Sequence, residues 1–312
     1  MHRLVDAHVH GVDFLQRVLP ADELQAVLAG PDGPAGVVLF GLPMKKKWAQ
    51  SEPRTPHYYL DGNDPCSYFP LTDQLVADLY LQLPDDLRAR VAPTVCGFDP
   101  TDRLAVEHLE WAFDRYPFWA GIGEVMLRHD DLTNLTAGEH PTASHPALDA
   151  VFDFARRHDR PLALHHDSAS AGRPAEHEYV PQLGAMLDRH PRTTVVWCHA
   201  GVARRIEPHD QAALVDELLD AHPGLHIDVS WSLLDRIVGP DEDGRSRQVD
   251  PDWVRLIDRH PDRFVLGSDS VAQLDDLRPL HGRLSRLVDA VHPAHRDALA
   301  HGNAERLWFA RR

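Results

Sequence analysis

Four stretches of the chain repeat one design: "FARRHDRPLALHHD", "MLDRHPRTTVVWCHAG", "LLDAHPGLHIDVSW" and "LIDRHPDRFVLGSD". Each runs from an amphipathic tail to a histidine, then a proline within three residues, then a short apolar run. The histidines are His158, His190, His222 and His260. All four stand where a helix should end, because an imidazole suits the negative end of the helix dipole and the proline stops the helix. The first three fall 32 residues apart and the fourth 38 further on. A helix and a buried β-branched strand recurring at about that period is a βα unit. Short apolar runs of this kind fit parallel strands covered on both faces.

Extending the pattern toward the N-terminus predicts eight strands, at 4–10, 36–42, 91–97, 121–126, 161–166, 194–199, 225–230 and 264–268. Helical stretches such as "ADELQAVLA" at 21–29 and "DRLAVEHLEWAFDRY" at 102–116 lie between them. Eight βα units in 312 residues predict one α/β domain over 1–312, a closed (β/α)8 barrel. An open doubly wound sheet is the rival, but it usually carries a Gly-rich phosphate turn after its first strand, and GxGxxG is absent. "GPDGPAG" at 30–36 precedes a strand and reads as a loop. Longer connections, at 43–72, 127–146, 167–178 and 233–250, follow strands 2, 4, 5 and 7. They form extended loops at the C-terminal strand ends, where barrels keep their active sites.

The first strand, "LVDAHVHG" at 4–11, places Asp6, His8 and His10 at every second position. Side chains two apart share a strand face, so His8 and His10 can grip one ion, and metal binding offsets the cost of burying them. Asp6 should lie on that face one step deeper, either orienting a ligand histidine or simply buried. Further polar residues end other strands: Glu124 in "GIGEVM", His165, His166 and Asp167 in "PLALHHD", His199 in "VVWCHAG" and Asp269 in "VLGSDS". Cys198, next to His199, is expected on the opposite face as a small apolar filler.

This set resembles the amidohydrolase superfamily, in strand order and over the whole chain. The motifs "DAHVH", "CHAG" and "GSD" look most like its branch of small hydrolases, lactonases and non-oxidative decarboxylases. "GIGEV" is also similar to TatD-like and phosphotriesterase-like members, whose strand-4 residue can bridge two metals. The resemblance implies His8, His10, Glu124, His165, His199 and Asp269 as metal ligands. In such proteins the strand-5 ligand commonly lies four residues after the opening proline. Here that is His165 after Pro161, with His166 and Asp167 nearer the substrate; a one-residue bulge would exchange the roles. The implied cofactor is one or two divalent ions, zinc first, with manganese or iron also suited to the ligand mix. The implied reaction is attack of metal-activated water on a small ester, lactone or amide, with Asp269 as the catalytic proton carrier. The alternative is a one-metal decarboxylase or lyase acting on an unsaturated or aromatic acid.

A formal charge of -16 argues against nucleic acid and anionic membranes as partners. It leaves a small-molecule substrate as the expected partner, with a homo-oligomer open. Three dispersed cysteines, Cys66, Cys96 and Cys198, and the lack of an apolar leader predict a cytoplasmic protein. Despite the net charge, Lys45, Lys46, Lys47 and Arg128 follow strands 2 and 4. A positive field there would attract an anion. Arg128, Lys45, His166 and Trp231 are therefore the expected substrate contacts, and "VARR" at 202–205 joins the mouth loops. "HYYLDGNDPCSYF" at 57–69 is a candidate lid.

Overall fold

Each of the eight apolar runs is a strand in the computed structural model, which describes residues 2–47, 64–206, 208–239, 248–275 and 277–310. The strands are β1 (Val5–His10), β2 (Gly36–Phe40), β5 (Val91–Val95), β6 (Gly121–Met126), β7 (Leu162–His165), β8 (Val195–Cys198), β9 (Leu225–Val229) and β10 (Phe264–Leu266). A two-residue piece, β11 (Ser270–Val271), follows β10. All pairs are parallel, in the row β10-β9-β8-β7-β6-β5-β2-β1-β11. The ends of this row, β10 and β11, belong to one passage of chain, so the sheet closes into a barrel. The interruption leaves Asp269 at the seam, where its backbone N–H donates to the carbonyl of His8 at 2.8 Å.

The alternation inside the strands follows the two faces. Leu225, Ile227 and Val229 belong to the core beneath the helices. Val5, Ala7, Val38, Ala92, Ala120, Ala163, Val196, Cys198 and Val265 fill the barrel interior with Leu307 and Trp308 of the C-terminal segment. One element was not foreseen. Residues 43–72, read as a long connection, contain an antiparallel hairpin of β3 (Met44–Lys46) and β4 (Cys66–Tyr68). Three-residue strands are too short to show a period. Of the candidate lid, 57–63 lies outside the described residues.

His158, His190, His222 and His260 each occupy the position just after a helix. Three of the rings reach an aspartate of the preceding outer helix: His190 Nε2 to Asp149 at 2.7 Å, His260 Nε2 to Asp216 at 2.7 Å, His222 Nδ1 to Asp188 at 3.9 Å. His158 instead stacks on Phe154 at 4.1 Å. These histidines link neighbouring units as well as ending helices.

Candidate metal centre

The register of β1 against β2 slips between Asp6 and Val9. A bulge of this kind turns one residue over, and it separates the three alternating polar groups. His8 and His10 face the barrel mouth. Asp6 faces the helix layer, where Oδ2 meets His281 Nε2 at 2.8 Å and Oδ1 accepts the backbone N–H of His8 at 3.2 Å and of Ser268 at 2.9 Å. Asp6 therefore ties strand one to strand eight and does not orient an imidazole of the centre. Asp269 and His199 reach the mouth through left-handed backbone, with φ 57° and 56°. That turn overrides alternation, so Cys198 and His199 both point inward, and the expectation that Cys198 faces away is corrected. Its thiol lies in a donor group with His8 and Glu124, and burial pushes its pKa well up.

The side chains predicted as ligands converge. His8 Nε2 lies 3.1 Å from His10 Nε2. Glu124 Oε2 lies 3.6 and 3.3 Å from these two nitrogens, and Asp269 Oδ1 3.4 and 3.2 Å. The other oxygen of Glu124, Oε1, faces His165 Nδ1 at 3.0 Å and His199 Nε2 at 3.3 Å. Gly123, with φ 137°, precedes Glu124, and a Cβ there would lie 2.7 Å from Ala163. Only glycine fits this approach of β6 to β7.

The far nitrogen of each imidazole is also engaged. His8 Nδ1 meets Asp228 Oδ2 at 2.6 Å, His10 Nδ1 the carbonyl of Gly41 at 3.1 Å, His165 Nε2 Asp167 Oδ1 at 3.2 Å, and His199 Nδ1 Ser230 Oγ at 2.8 Å. Outer partners of this kind fix the tautomer that presents a lone pair to a metal. Two lone pairs at 3.1 Å facing a buried carboxylate and a half-buried one require positive charge between them. The charges around the rings make the same demand. Burial acts against a charged His8, yet Asp228, Asp269 and Glu124 outweigh it and hold the ring well above its ordinary value. Against the same burial, Glu124 and Asp167 push His165 up to about 10. Burial would raise Glu124, but His8 and His165 hold it well below the carboxylate range. The residues fit one or two divalent ions.

A cavity of about 370 Å³ opens over this cluster. Phe14, Leu42, Met126, Leu132 and Trp231 line it, with His129, Arg17 and Arg204. Of the expected substrate contacts, Trp231 is here. Arg128, His166 and Lys45 are not brought to it. The Arg128 guanidinium lies over the Tyr179 ring at 4.5 Å, and Lys45 Nζ over Phe69 at 4.3 Å. His166 Nε2 meets the carbonyl of Tyr179 at 3.0 Å, and burial pushes its ring down to about 4. Strand alternation explains the last of these: β7 ends with His165 inward and His166 outward. His129 was missed. It stacks on His165 at 4.5 Å, and burial and His165 push it down to about 3. Asp228 and Ser230 were missed as well, although "HIDVS" carries them two apart, the signal that singled out His8 and His10.

The sequence model of the family described as Amidohydrolase matches residues 5–310. The chain is similar to the structure of an amidohydrolase from Burkholderia multivorans with bound zinc, at 16% identity and TM-score 0.57, over 98% of this chain and 99% of that one. It is similar to a dihydroorotase from Campylobacter jejuni at 14% identity and TM-score 0.56, over 98% and 82%. It is also similar to an IDCase from Metarhizium anisopliae in apo form, at 13% identity and TM-score 0.51, over 97% and 96%. At these identities the likeness concerns the fold. No curated protein matches the chain.

Proposed function

Because the chain belongs to the amidohydrolase family, whose members include metal-dependent hydrolases, we propose that it hydrolyses a small anionic ester, lactone or amide at a centre of two divalent ions, zinc foremost. The observation that carries this is the division of Glu124, with Oε2 toward His8 and His10 and Oε1 toward His165 and His199. His8, His10 and Asp269 would hold one ion, His165 and His199 the other, and Glu124 would bridge. The likeness to TatD-like members rests on this one carboxylate. Divalent ions supply Lewis acidity and acidify water at such a site.

The chain's own groups do the rest. The Asp269 carboxylate is 11% exposed, against 2% for Glu124, and so is the more open of the two carboxylates that line the cavity. It takes the proton of the attacking water and returns it to the leaving group. Trp231, Phe14 and Leu132 shape an apolar wall. Arg204, whose guanidinium lies 5.9 Å from the Trp231 ring centre, supports an anionic substrate in place of Arg128. A second reading, a one-metal decarboxylase of an unsaturated or aromatic acid, draws support from the flat wall of His129 and Trp231, stacked with centroids 5.8 Å apart. Metal analysis with a screen of esters, lactones, amides, phosphoesters and unsaturated acids tests both. Two ions and solvent oxygen in the product support hydrolysis. One ion with release of carbon dioxide overturns it in favour of the second reading.

A further inference from the structure

Ser230 stands at the N-cap of the helix Trp231–Ile237, where a serine hydroxyl ordinarily accepts a backbone N–H of the first turn. Its side chain makes no such bond. The hydroxyl turns into the barrel instead, donating to Asp228 Oδ2 at 2.7 Å and facing His199 Nδ1 at 2.8 Å. Asp228, two residues earlier on the same face of the strand, also receives His8 Nδ1 on that oxygen at 2.6 Å. Asp228 is 1% exposed and Ser230 0%.

The proton directions follow from the donor inventory. A carboxylate only accepts, so His8 Nδ1 and the Ser230 hydroxyl both donate to it. The hydroxyl has then spent its single proton and can only accept from His199 Nδ1–H. One carboxylate thus sets the tautomer of two imidazoles, leaving both Nε2 lone pairs turned toward Glu124 and Asp269. Asp228 Oδ1 has no hydrogen-bond partner, so both bonds fall on Oδ2. A purely architectural carboxylate such as Asp6 uses both oxygens. Gly267 keeps the space: a Cβ there would lie 3.2 Å from Asp228 Oδ1 and 2.5 Å from His8 Cβ. His10 and His165 have separate partners, Gly41 and Asp167. His8 and His199 fall in different halves of the proposed two-ion centre.

We infer that Asp228 and Ser230 are positioning residues that couple the two halves of the centre: the Ser230 hydroxyl controls the half containing His199, and Asp228 controls both. This rests on the two-ion reading. Without the hydroxyl, His199 can carry its proton on Nε2, where the ion must sit, while His8 keeps its own bond to Asp228.

Calorimetric titration of chelator-stripped protein with zinc, repeated with cobalt by visible absorption, tests the coupling. Wild type should show two uptake events. Ser230→Ala should keep one near its wild-type affinity and weaken the other by about 10–100-fold, the scale of outer-partner substitutions at metal sites. Ser230→Cys, which keeps the volume but is a poor acceptor, should do the same, and Ser230→Thr should restore the second event. Asp228→Asn should weaken both. The melting temperature of each metal-free variant separates these effects from lost folding. Two ions in wild type with unchanged or equally weakened events in Ser230→Ala and Ser230→Cys overturn the coupling alone. Fewer than two ions in wild type overturns the two-ion reading and the coupling with it.

Discussion

His190 and His199 bracket strand β8, one before it and one after. His190 sends Nε2 to Asp149 across the helix layer, and its side chain is 10% exposed beside a carboxylate 44% exposed. His199 is 2% exposed, with Nδ1 on Ser230 and Nε2 toward Glu124. Around the outer ring His190, His222 and His260 each face an aspartate of a previous unit, and His158 packs on an aromatic ring instead. His260 with Asp216 and His295 with Asp258 repeat the arrangement. At the mouth, four imidazoles already satisfied on one side turn their remaining nitrogens on two carboxylates, Glu124 and Asp269. Ring histidines precede a strand and mouth histidines end one, but position alone does not say what each imidazole is used for. The second nitrogen does: in the ring it is peripheral, and at the mouth it is aimed at a place that demands a cation.

The sharpest way to break this contrast is to remove one member from each side. His8→Ala with His10→Ala should abolish most metal uptake. Losing several kcal/mol of charge stabilisation should lower turnover by about 10³-fold or more, at roughly 1.4 kcal/mol per tenfold. Elemental analysis and steady-state rates on the substrate found by screening check this. Full metal occupancy in the double variant would sink the ligand assignment. His190→Ala, measured beside it, should keep both metal and rate.

Within the mouth, Asp269 is the more exposed of the two carboxylates that line the cavity. Asp269→Asn should lower kcat by about 10²-fold or more, the contribution of general acid–base catalysis, while the remaining ligands retain part of the metal. A variant turning over at the wild-type rate would remove Asp269 from proton transfer.

The ring and the mouth were unequally legible in the sequence. The 32-residue recurrence marks strands and helix ends because each unit must bury one apolar run and stop one helix. It therefore located all eight barrel strands and, through their ends, the six converging side chains. What escaped depends on departures from strict alternation. The slip after Asp6 is a property of pairing with β2 and leaves no mark in "LVDAHVHG". The left-handed turn at His199 brings Cys198 and His199 to one side, which a period of two forbids. Arg128 and Lys45 were chosen for charge after a strand, but loop direction is set by tertiary contacts such as the Tyr179 ring beneath Arg128. Asp228 and Ser230 were legible by the same spacing rule and escaped because Asp228 precedes the strand end and serine is not a typical metal ligand.

That inequality can be tested on the two arginines. Arg204→Ala should raise KM for an anionic substrate about tenfold, near the lower end of the roughly 1.5–3 kcal/mol expected for a charged hydrogen bond, because the side chain is solvent-exposed. Arg128→Ala should leave KM unchanged, since its guanidinium lies over Tyr179 outside the cavity. A neutral preferred substrate, or KM responding to Arg128 and not Arg204, would reverse the placement of the anionic end.

The smallest effect belongs to the ring. His190 Nε2 and Arg189 both reach Asp149 Oδ1, at 2.7 and 3.0 Å. Burial would raise the Asp149 carboxyl, but His190 and Arg189 outweigh it and hold it below its ordinary range. A carboxylate with a lowered folded pKa stabilises above its unfolded value, about 3.9, and loses that contribution as pH falls through the folded value. Solvent reaches this pair, so its worth is about 0.2–1 kcal/mol. In a chain of this size that is a melting shift of about 1–2 °C. His190→Ala should melt lower by that amount at neutral pH, with the gap to wild type closing below about pH 4. Metal content should not change, because no atom of the clip touches the mouth. A large loss of metal in His190→Ala would mean that the ring and the mouth are one coupled system and that the contrast between their histidines is false.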